Sequence, residues 1–168
     1  MPNNVKDKNS NLNNIYVILD NIRSAQNVGS FFRTCDSFNV GNILLCGITA
    51  IPPNKEILKT ALGATESVKW SYCESTYNCV KEFKNNNHII ICIEQTDKSV
   101  MLNNYKFNSE KNICLVFGNE IEGVSKEILD MADVCIEIPQ LGIKHSLNVS
   151  VAGGIVIWDV LSKKLKNF

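Results

Sequence analysis

The chain has 168 residues, of which 45% are hydrophobic and 20% charged, a composition typical of one compact domain rather than two. Its 17 basic and 17 acidic residues cancel to a formal net charge of zero, so any nucleic-acid site must be a local patch rather than a global positive field. The longest apolar runs are far shorter than the roughly 20 residues that span a bilayer, which excludes a membrane-spanning protein.

The N-terminal segment, residues 1–14, contains six asparagines, a few charges and almost nothing apolar. Such a segment cannot offset the entropy lost on ordering, and we expect a flexible tail. It has neither the apolar core of a signal peptide nor an Arg-rich amphipathic pattern. We therefore expect a cytoplasmic protein with a single domain over residues 15–168.

Five apolar runs of strand length follow this tail. They are continuous rather than alternating, as is typical of strands buried on both faces of a parallel sheet; they are Ile15–Leu19, Ile43–Cys46, Ile89–Ile93, Ile113–Phe117 and Val134–Ile138. Helical patterns lie between and after them, at Val28–Phe38, Lys55–Leu62, Thr76–Lys84, Ser125–Met131 and Ser146–Leu161. This alternation predicts an α/β fold with a mainly parallel sheet and helices on both faces. Ligands of such sheets usually bind in loops beyond the carboxyl ends of the strands.

The seven cysteines form an odd set without a CxxC pair and lie mostly inside apolar runs. We interpret them as small core residues in a reducing compartment. The two histidines, His88 and His145, are too few and too isolated to suggest a zinc site. The sequence therefore predicts no metal.

The first segment with candidate chemistry follows the first strand and contains Arg23 and Arg33, the only arginines of the chain. Arginine offers a planar fork that binds phosphate in a bidentate way, whereas lysine is a point charge. Gly29 would let the backbone approach a ligand near a helix start, where free N–H groups favour anions. The segment indicates a phosphate or carboxylate site.

The second segment, Gly118–Gly123, ends the fourth apolar run and precedes a helix that is predicted to begin at Val124 or Ser125. Two glycines around polar residues permit a tight turn with its backbone close to a ligand. The letters match neither the dinucleotide nor the P-loop fingerprint. Alone, the segment also fits an ordinary turn between a strand and a helix.

The third segment runs from Ile138 to Ser150 and leads into the last helix. Ser146 is a candidate N-cap of that helix, with Asn148 in its first turn. Two glycines inside the helix, Gly153 and Gly154, would each cost about 1 kcal/mol relative to alanine. We expect them to permit close packing against another backbone or against a second copy of the chain.

Together and in this order, the three segments resemble the motifs of the SpoU/TrmH family of RNA ribose 2′-O-methyltransferases, within the SPOUT superfamily. The matching letters are NVGxxxRT at 27–34, LVFGNExEG at 115–123 and IPxxGxxxSLNVS at 138–150. The stretch 53–70, with ALGATESVKW, also resembles a subgroup described as generic RNA methyltransferases. The resemblance covers roughly residues 15–161.

The resemblance implies a SPOUT fold with a deep C-terminal trefoil knot, an exception to the rule against knotted chains. It implies S-adenosylmethionine as the methyl donor, with S-adenosylhomocysteine as the product, and no metal. It also implies a homodimer that forms through the C-terminal helix and the knot face. RNA would be the partner, with tRNA expected first and rRNA second.

The resemblance also assigns site residues by position. The expected catalytic residues are Asn27, Arg33, Glu120, Ser146 and Asn148. The expected cofactor contacts are Glu94, Gln95, Gly118, Ile138, Leu141, Ser146 and Leu147. The expected RNA contacts are Arg23, Arg33 and Lys144, and the lysines 163, 164 and 166 are further candidates for phosphate binding.

Family proposals make the arginine at the position of Arg33 the general base. Because the pKa of an arginine exceeds 12, we favour a different hypothesis. In it, Arg33 grips the adjacent phosphate and thereby orients the 2′-hydroxyl, while Asn27 and Glu120 hold the arginine. Two other functions stay open: a knotted RNA-binding or assembly factor without catalysis, and a flavodoxin-like binder of a small molecule.

Overall fold

The computed structural model describes residues 14–108, 110–143 and 146–164. The tail predicted for residues 1–14 lies outside this part of the chain, apart from Asn14. No helix of the described residues is long and apolar enough to cross a membrane.

The centre of the fold is a sheet of seven strands: β1 (Ile15–Asp20), β2 (Asn42–Cys46), β3 (Trp70–Cys73), β4 (Ile89–Ile93), β5 (Val100–Met101), β6 (Ile113–Phe117) and β7 (Val134–Glu137). Their order is β3-β2-β1-β6-β4-β7-β5, and every neighbouring pair is parallel. The predicted parallel sheet is confirmed, with all five predicted strands. The knot is the part of the fold prediction that rests on the family resemblance.

The two edge strands, β3 and β5, were missed by the sequence analysis. Both residues of β5 are exposed, and β3 has two exposed and two half-buried residues. A continuous apolar run is expected only where both faces of a strand are covered. In contrast, all five residues of β6 are buried, which explains why its pattern was clear.

Within the described residues, six α-helices cover the two faces of the sheet: α1 (Ala25–Ser37), α2 (Lys55–Ala61), α3 (Ala64–Ser67), α4 (Thr76–Asn85), α5 (Lys126–Leu129) and α6 (Val149–Lys164). Helix α1 packs against α2, α3 and α6 on one face, while α4 packs against α5 on the other. Each face has its own cluster of buried apolar residues. The predicted helices on both faces are confirmed.

The start of α6 differs from the prediction. Ser146 was expected to cap this helix, but the side-chain oxygen of Asn148 accepts hydrogen bonds from the backbone N–H groups of Ser150 and Val151, at 2.9 and 3.4 Å. Asn148 is therefore the N-cap residue. Both side chains can cap a helix, so the sequence pattern alone did not decide between positions two residues apart.

Two glycines bring α1 into contact with other helices. A Cβ atom at Gly29 would lie 2.4 Å from the carbonyl oxygen of Ile57 in α2. The expectation that Gly29 lets a ligand approach the backbone is therefore wrong, because α2 occupies that space. A Cβ atom at Gly153 would lie 2.3 Å from the ring of Phe31. Close packing of α6 is confirmed, although its neighbour is an aromatic side chain rather than a backbone.

Candidate active site

A cavity of about 270 Å³ lies at the carboxyl ends of β4, β6 and β7. Its walls come from the ends of these strands, the turns that follow them and the first turn of α6. They comprise Ile93, Glu94, Gln95, Phe117, Gly118, Asn119, Glu120, Ile121, Gly123, Ile136, Glu137, Ile138, Gln140, Ser146, Leu147, Val149 and Ala152. A crevice at this edge of the sheet is where ligands of open parallel sheets bind.

Six of the seven expected cofactor contacts line this cavity, namely Glu94, Gln95, Gly118, Ile138, Ser146 and Leu147. Leu141, the seventh, is outside the wall and its side chain is fully exposed. The polar Gln140 and the small Ala152 line the cavity and were missed. Ala152 stands one turn beyond Asn148 on α6, a spacing that could have indicated it.

The turn at residues 118–123 forms one wall and is closely packed. Asn119 and Gly123 exchange two backbone hydrogen bonds of 2.9 and 3.1 Å. A Cβ atom at Gly118 would lie 2.2 Å from the backbone nitrogen of Val124, so a side chain at this position cannot be accommodated without moving the backbone. Gly118 therefore permits the close packing of this turn against its own backbone at Gly123 and Val124.

The carboxylate of Glu94 holds this turn from the neighbouring strand. It accepts a 2.9 Å hydrogen bond from the backbone nitrogen of Val124. A Cβ atom at Gly123 would lie 2.3 Å from the same carboxylate, and Gly123 has a φ of +70°, which favours glycine. Glu94 thus positions the turn as well as lining the cavity.

Three of the expected catalytic side chains form one hydrogen-bonded chain beside the cavity. The amide nitrogen of Asn27 donates to Oε1 of Glu120 at 3.0 Å. The amide nitrogen of Asn148 donates to Oδ1 of Asn27 at 3.1 Å. The starts of α1 and α6 are thereby joined to the turn at residues 118–123.

The carboxylate of Glu120 also accepts hydrogen bonds from the backbone nitrogens of Arg23 and Ser24, at 3.0 and 3.1 Å. Partial burial acts to raise the pKa of Glu120, but the hydrogen bonds donated by Arg23, Asn27 and Ser24 outweigh it, and the pKa is lowered from its ordinary value. Donors that favour the charged form have this effect. Glu120 is a fixed negative charge rather than a proton acceptor at neutral pH.

Arg33 lies elsewhere. It is exposed and lines a groove between α1 and α2 with Ser30, Thr34, Ser37, Phe38, Lys59 and Thr60. Among the described residues, no hydrogen bond joins Arg33 to Asn27 or Glu120. The hypothesis that these two residues hold the arginine is wrong for the single chain, because Asn27 and Arg33 are six positions apart and point to different sides of the helix.

The other expected cations fall into three groups. Arg23 reaches Glu120 through its backbone, and its side chain lines a second pocket with Asp20 and Glu122. Lys163 and Lys164 donate hydrogen bonds to backbone carbonyls, including those of residues 102 and 111, so their ammonium groups are engaged within the fold rather than presented to a phosphate. Lys144 and Lys166 lie outside the described residues.

A family model, the SpoU rRNA Methylase family, matches residues 14–158. The chain belongs to the SpoU rRNA methylase family. Its SpoU motifs therefore coincide with the cavity wall and the hydrogen-bonded chain of Asn27, Glu120 and Asn148. The predicted family is confirmed.

Relatives within the SpoU family agree in sequence and in structure. A tRNA (guanosine(18)-2′-O)-methyltransferase of Aquifex aeolicus is 36% identical over 149 residues, which cover 86% of this chain and 67% of that protein. The crystal structure of the Aquifex aeolicus TrmH/SpoU tRNA modifying enzyme matches with a TM-score of 0.82 and 29% identity, covering 92% of this chain and 77% of that one.

An AdoMet-bound rRNA methyltransferase of Sinorhizobium meliloti matches with a TM-score of 0.80 and 26% identity, over 87% of this chain and 55% of that one. The present chain covers only part of several relatives: 10% of a mouse tRNA methyltransferase and 64% of a tRNA/rRNA methyltransferase of Borreliella burgdorferi. The common part is the domain that contains the cavity.

Proposed function

We propose that this chain transfers a methyl group from S-adenosylmethionine to a ribose 2′-hydroxyl of RNA, with tRNA as the substrate. The observation that carries the proposal is the position of the three SpoU motifs: two line the cavity, and all three meet in the chain of Asn27, Glu120 and Asn148. The Aquifex relative, a tRNA methyltransferase, supports tRNA over rRNA.

The cavity residues fit S-adenosylmethionine. Gly118 lines the cavity without a side chain, Ile138 and Leu147 offer apolar walls, and Gln95 and Gln140 offer hydrogen-bonding groups. When bound, S-adenosylmethionine supplies an electrophilic methyl group on a sulfonium. The AdoMet-bound state of the Sinorhizobium relative is consistent with this assignment.

The protein's own contribution is to place the nucleophile. The fixed Glu120 carboxylate holds the amide of Asn27, and Asn27 in turn holds Asn148, so that these side chains keep one arrangement before RNA arrives. Such preorganisation avoids ordering costs during the reaction. Arg33 stands six residues along α1, about 9 Å by the rise of a helix, where its guanidinium can grip a phosphate near the reacting ribose.

We also propose that two copies of the chain form a dimer through helix α6. Helix α6 exposes Val151, Ile155 and Trp158 to 51%, 38% and 47%, at a spacing that places them on one side of the helix. Next to them, a Cβ atom at Gly154 would meet nothing within 4 Å. An apolar stripe of this kind is what a symmetric dimer buries.

The dimer is tested by Ile155→Glu with light scattering after size-exclusion chromatography. We expect the wild type to be a dimer and this variant a monomer. Leu58→Glu is the matched control, because Leu58 is 45% exposed on α2 and its variant should remain a dimer. A monomeric wild type would contradict the proposed dimer.

The reaction is tested by transfer of labelled methyl from S-adenosylmethionine to separated tRNA and rRNA, followed by mass spectrometry of the nucleosides. We expect a 2′-O-methylated nucleoside in tRNA, and at least a 100-fold loss with Arg33→Ala. Lys81→Ala, which removes an exposed cation of α4 on the opposite face, is the control. Cofactor binding without transfer to either RNA would favour a non-catalytic RNA-binding protein.

A further inference from the structure

Three cysteines lie close together at the β2–β3 end of the sheet, on the face that α4 covers and away from the cavity. Cys46 is the last residue of β2 and Cys73 the last of β3. The two are direct neighbours in the parallel register, so their side chains point to the same face of the sheet. Cys79 lies in the first turns of α4 and packs against the same face of the sheet.

The three sulfur atoms lie within 4.8 Å of one another. They come from two strands and a helix, and their sequence spacings, 27 and 6 positions, match none of the usual zinc motifs. The sequence pattern therefore indicated only core cysteines. Three converging thiols supply three of the four ligands of a tetrahedral Zn²⁺ ion, and sulfur ligands suit Zn²⁺ and other thiophilic ions.

We propose that Cys46, Cys73 and Cys79 bind one Zn²⁺ ion, which fastens edge strand β3 and helix α4 to the sheet. Three thiolates leave one position of a tetrahedral ion for water. Cys46 and Cys79 are buried, whereas Cys73 is half-buried on an edge strand. The ion and its water therefore have a path from solvent along the side of Cys73.

The ligand atoms determine what kind of ion can bind. All three are sulfur atoms that lie within 4.8 Å of one another, and each thiol that becomes a ligand releases its proton to solvent. Sulfur ligands select thiophilic cations such as Zn²⁺. Mg²⁺ and Ca²⁺, which take oxygen ligands, are excluded.

A second pair of neighbouring cysteines in the same sheet serves as a comparison for this group. Cys92 and Cys135 are also register neighbours, on β4 and β7, and Cys135 is half-buried like Cys73. Among the described residues, however, the group of Cys46, Cys73 and Cys79 is the one whose side chains could hold an ion. Cys135→Ala is therefore a matched control for Cys73→Ala.

The structural role follows from the place of the site. Strand β3 has four residues, and in the part of the chain that the structure describes it pairs with β2 alone, so few hydrogen bonds hold it. The backbone nitrogen of Gly47 donates to the carbonyl of Cys73 at 3.0 Å, which links the same corner to the loop after β2. An ion at this corner would add a third connection, from α4.

The test uses the full chain, reduced and freed of metal, and does not depend on the methyltransferase proposal. It titrates Co²⁺ as an optical probe of thiolate ligation and then displaces Co²⁺ with Zn²⁺. We expect one equivalent of Co²⁺ with a sulfur-to-cobalt charge-transfer band in the wild type and in Cys135→Ala, and no band in Cys73→Ala.

Thermal unfolding gives a second measurement. Zn²⁺ should raise the Tm of the wild type and of Cys135→Ala by several degrees, because an ion that binds only the folded state stabilises it, and should leave Cys73→Ala unchanged. The site is disproved if the wild type shows no cobalt–thiolate band, or if Cys73→Ala keeps the band and the Tm shift.

Discussion

The cavity wall and the Arg33 groove are built in opposite ways, although both contain SpoU motif residues. At the wall, glycine backbone, Glu94 and the chain of Asn27, Glu120 and Asn148 are held by hydrogen bonds of 2.9–3.1 Å. In the groove, Arg33 is exposed between α1 and α2. Under the proposed function, the wall would bind the cofactor in a preorganised form, whereas the groove would need RNA or a second copy of the chain to complete it.

The largest effect is expected at the wall, for Gly118→Ala. The new Cβ atom would lie 2.2 Å from the nitrogen of Val124, and relieving this overlap must shift the turn. We expect the free energy of unfolding to fall by about 3 kcal/mol and the affinity for S-adenosylmethionine to fall about 100-fold, measured by urea unfolding and by calorimetry.

Gly142→Ala is the control for stability, because a Cβ atom there would meet nothing within 4 Å. Its free energy of unfolding should stay within about 0.5 kcal/mol of the wild type. If Gly118→Ala has the same free energy of unfolding and the same affinity for S-adenosylmethionine as the wild type, the wall is not preorganised. The contrast between the wall and the groove would then be contradicted.

The next effect is expected in the groove, for Arg33→Lys. A lysine keeps the charge but loses the bidentate grip on phosphate. We expect methyl transfer to fall at least about tenfold while the Kd for S-adenosylmethionine stays unchanged. Near-normal turnover would contradict the phosphate grip, and a weakened cofactor affinity would contradict the separation of groove and wall.

Helix α6 also has one tightly packed side and one side without close neighbours. Two adjacent glycines, Gly153 and Gly154, lie on these two sides and allow them to be compared. At Gly153 an added Cβ atom meets the ring of Phe31 at 2.3 Å, whereas at Gly154 it meets nothing within 4 Å. We expect Gly153→Ala to lower the free energy of unfolding by about 2 kcal/mol and Gly154→Ala not to lower it. Equal destabilisation by both variants would contradict this packing.

The smallest effect concerns the pH dependence of Glu120→Gln. Because the folded state lowers the pKa of Glu120 from its ordinary value of 4.5, the ionised carboxylate stabilises the fold above that value and this contribution is lost as pH falls through the folded pKa. With Glu120 largely open to solvent, we expect a loss of under about 1 kcal/mol at pH 7. Urea unfolding at pH 7 and pH 3 should show the difference shrinking in acid.

The sequence predicted the sheet and most of the cavity because buried strands and motif residues are local patterns. Strands β4 and β6 were predicted with their observed bounds, and Gly118, Ile138 and Leu147 line the cavity as expected. Strand β3 was missed because an edge strand has no apolar run, and the cap of α6 because Ser146 and Asn148 are equally good caps.

Two features of the structure were not predicted, for different reasons. Arg33 and Asn27 belong to one motif, yet helix α1 turns them to different sides; the spacing of six residues could have indicated this. The three cysteines at 46, 73 and 79 share no motif, yet the sheet register and α4 bring them together. Only this second outcome depends on the packing of elements that are distant along the chain.

The bond between Asn27 and Asn148 spans 121 positions of the chain. Closing so long a loop costs chain entropy before the contacts that compensate for it can form. A nascent chain that ends before Asn148 can form β1 and α1 but not the completed chain of polar side chains. The hydrogen-bonded chain of Asn27, Glu120 and Asn148 is therefore complete only after α6 has been synthesised and has packed against α1.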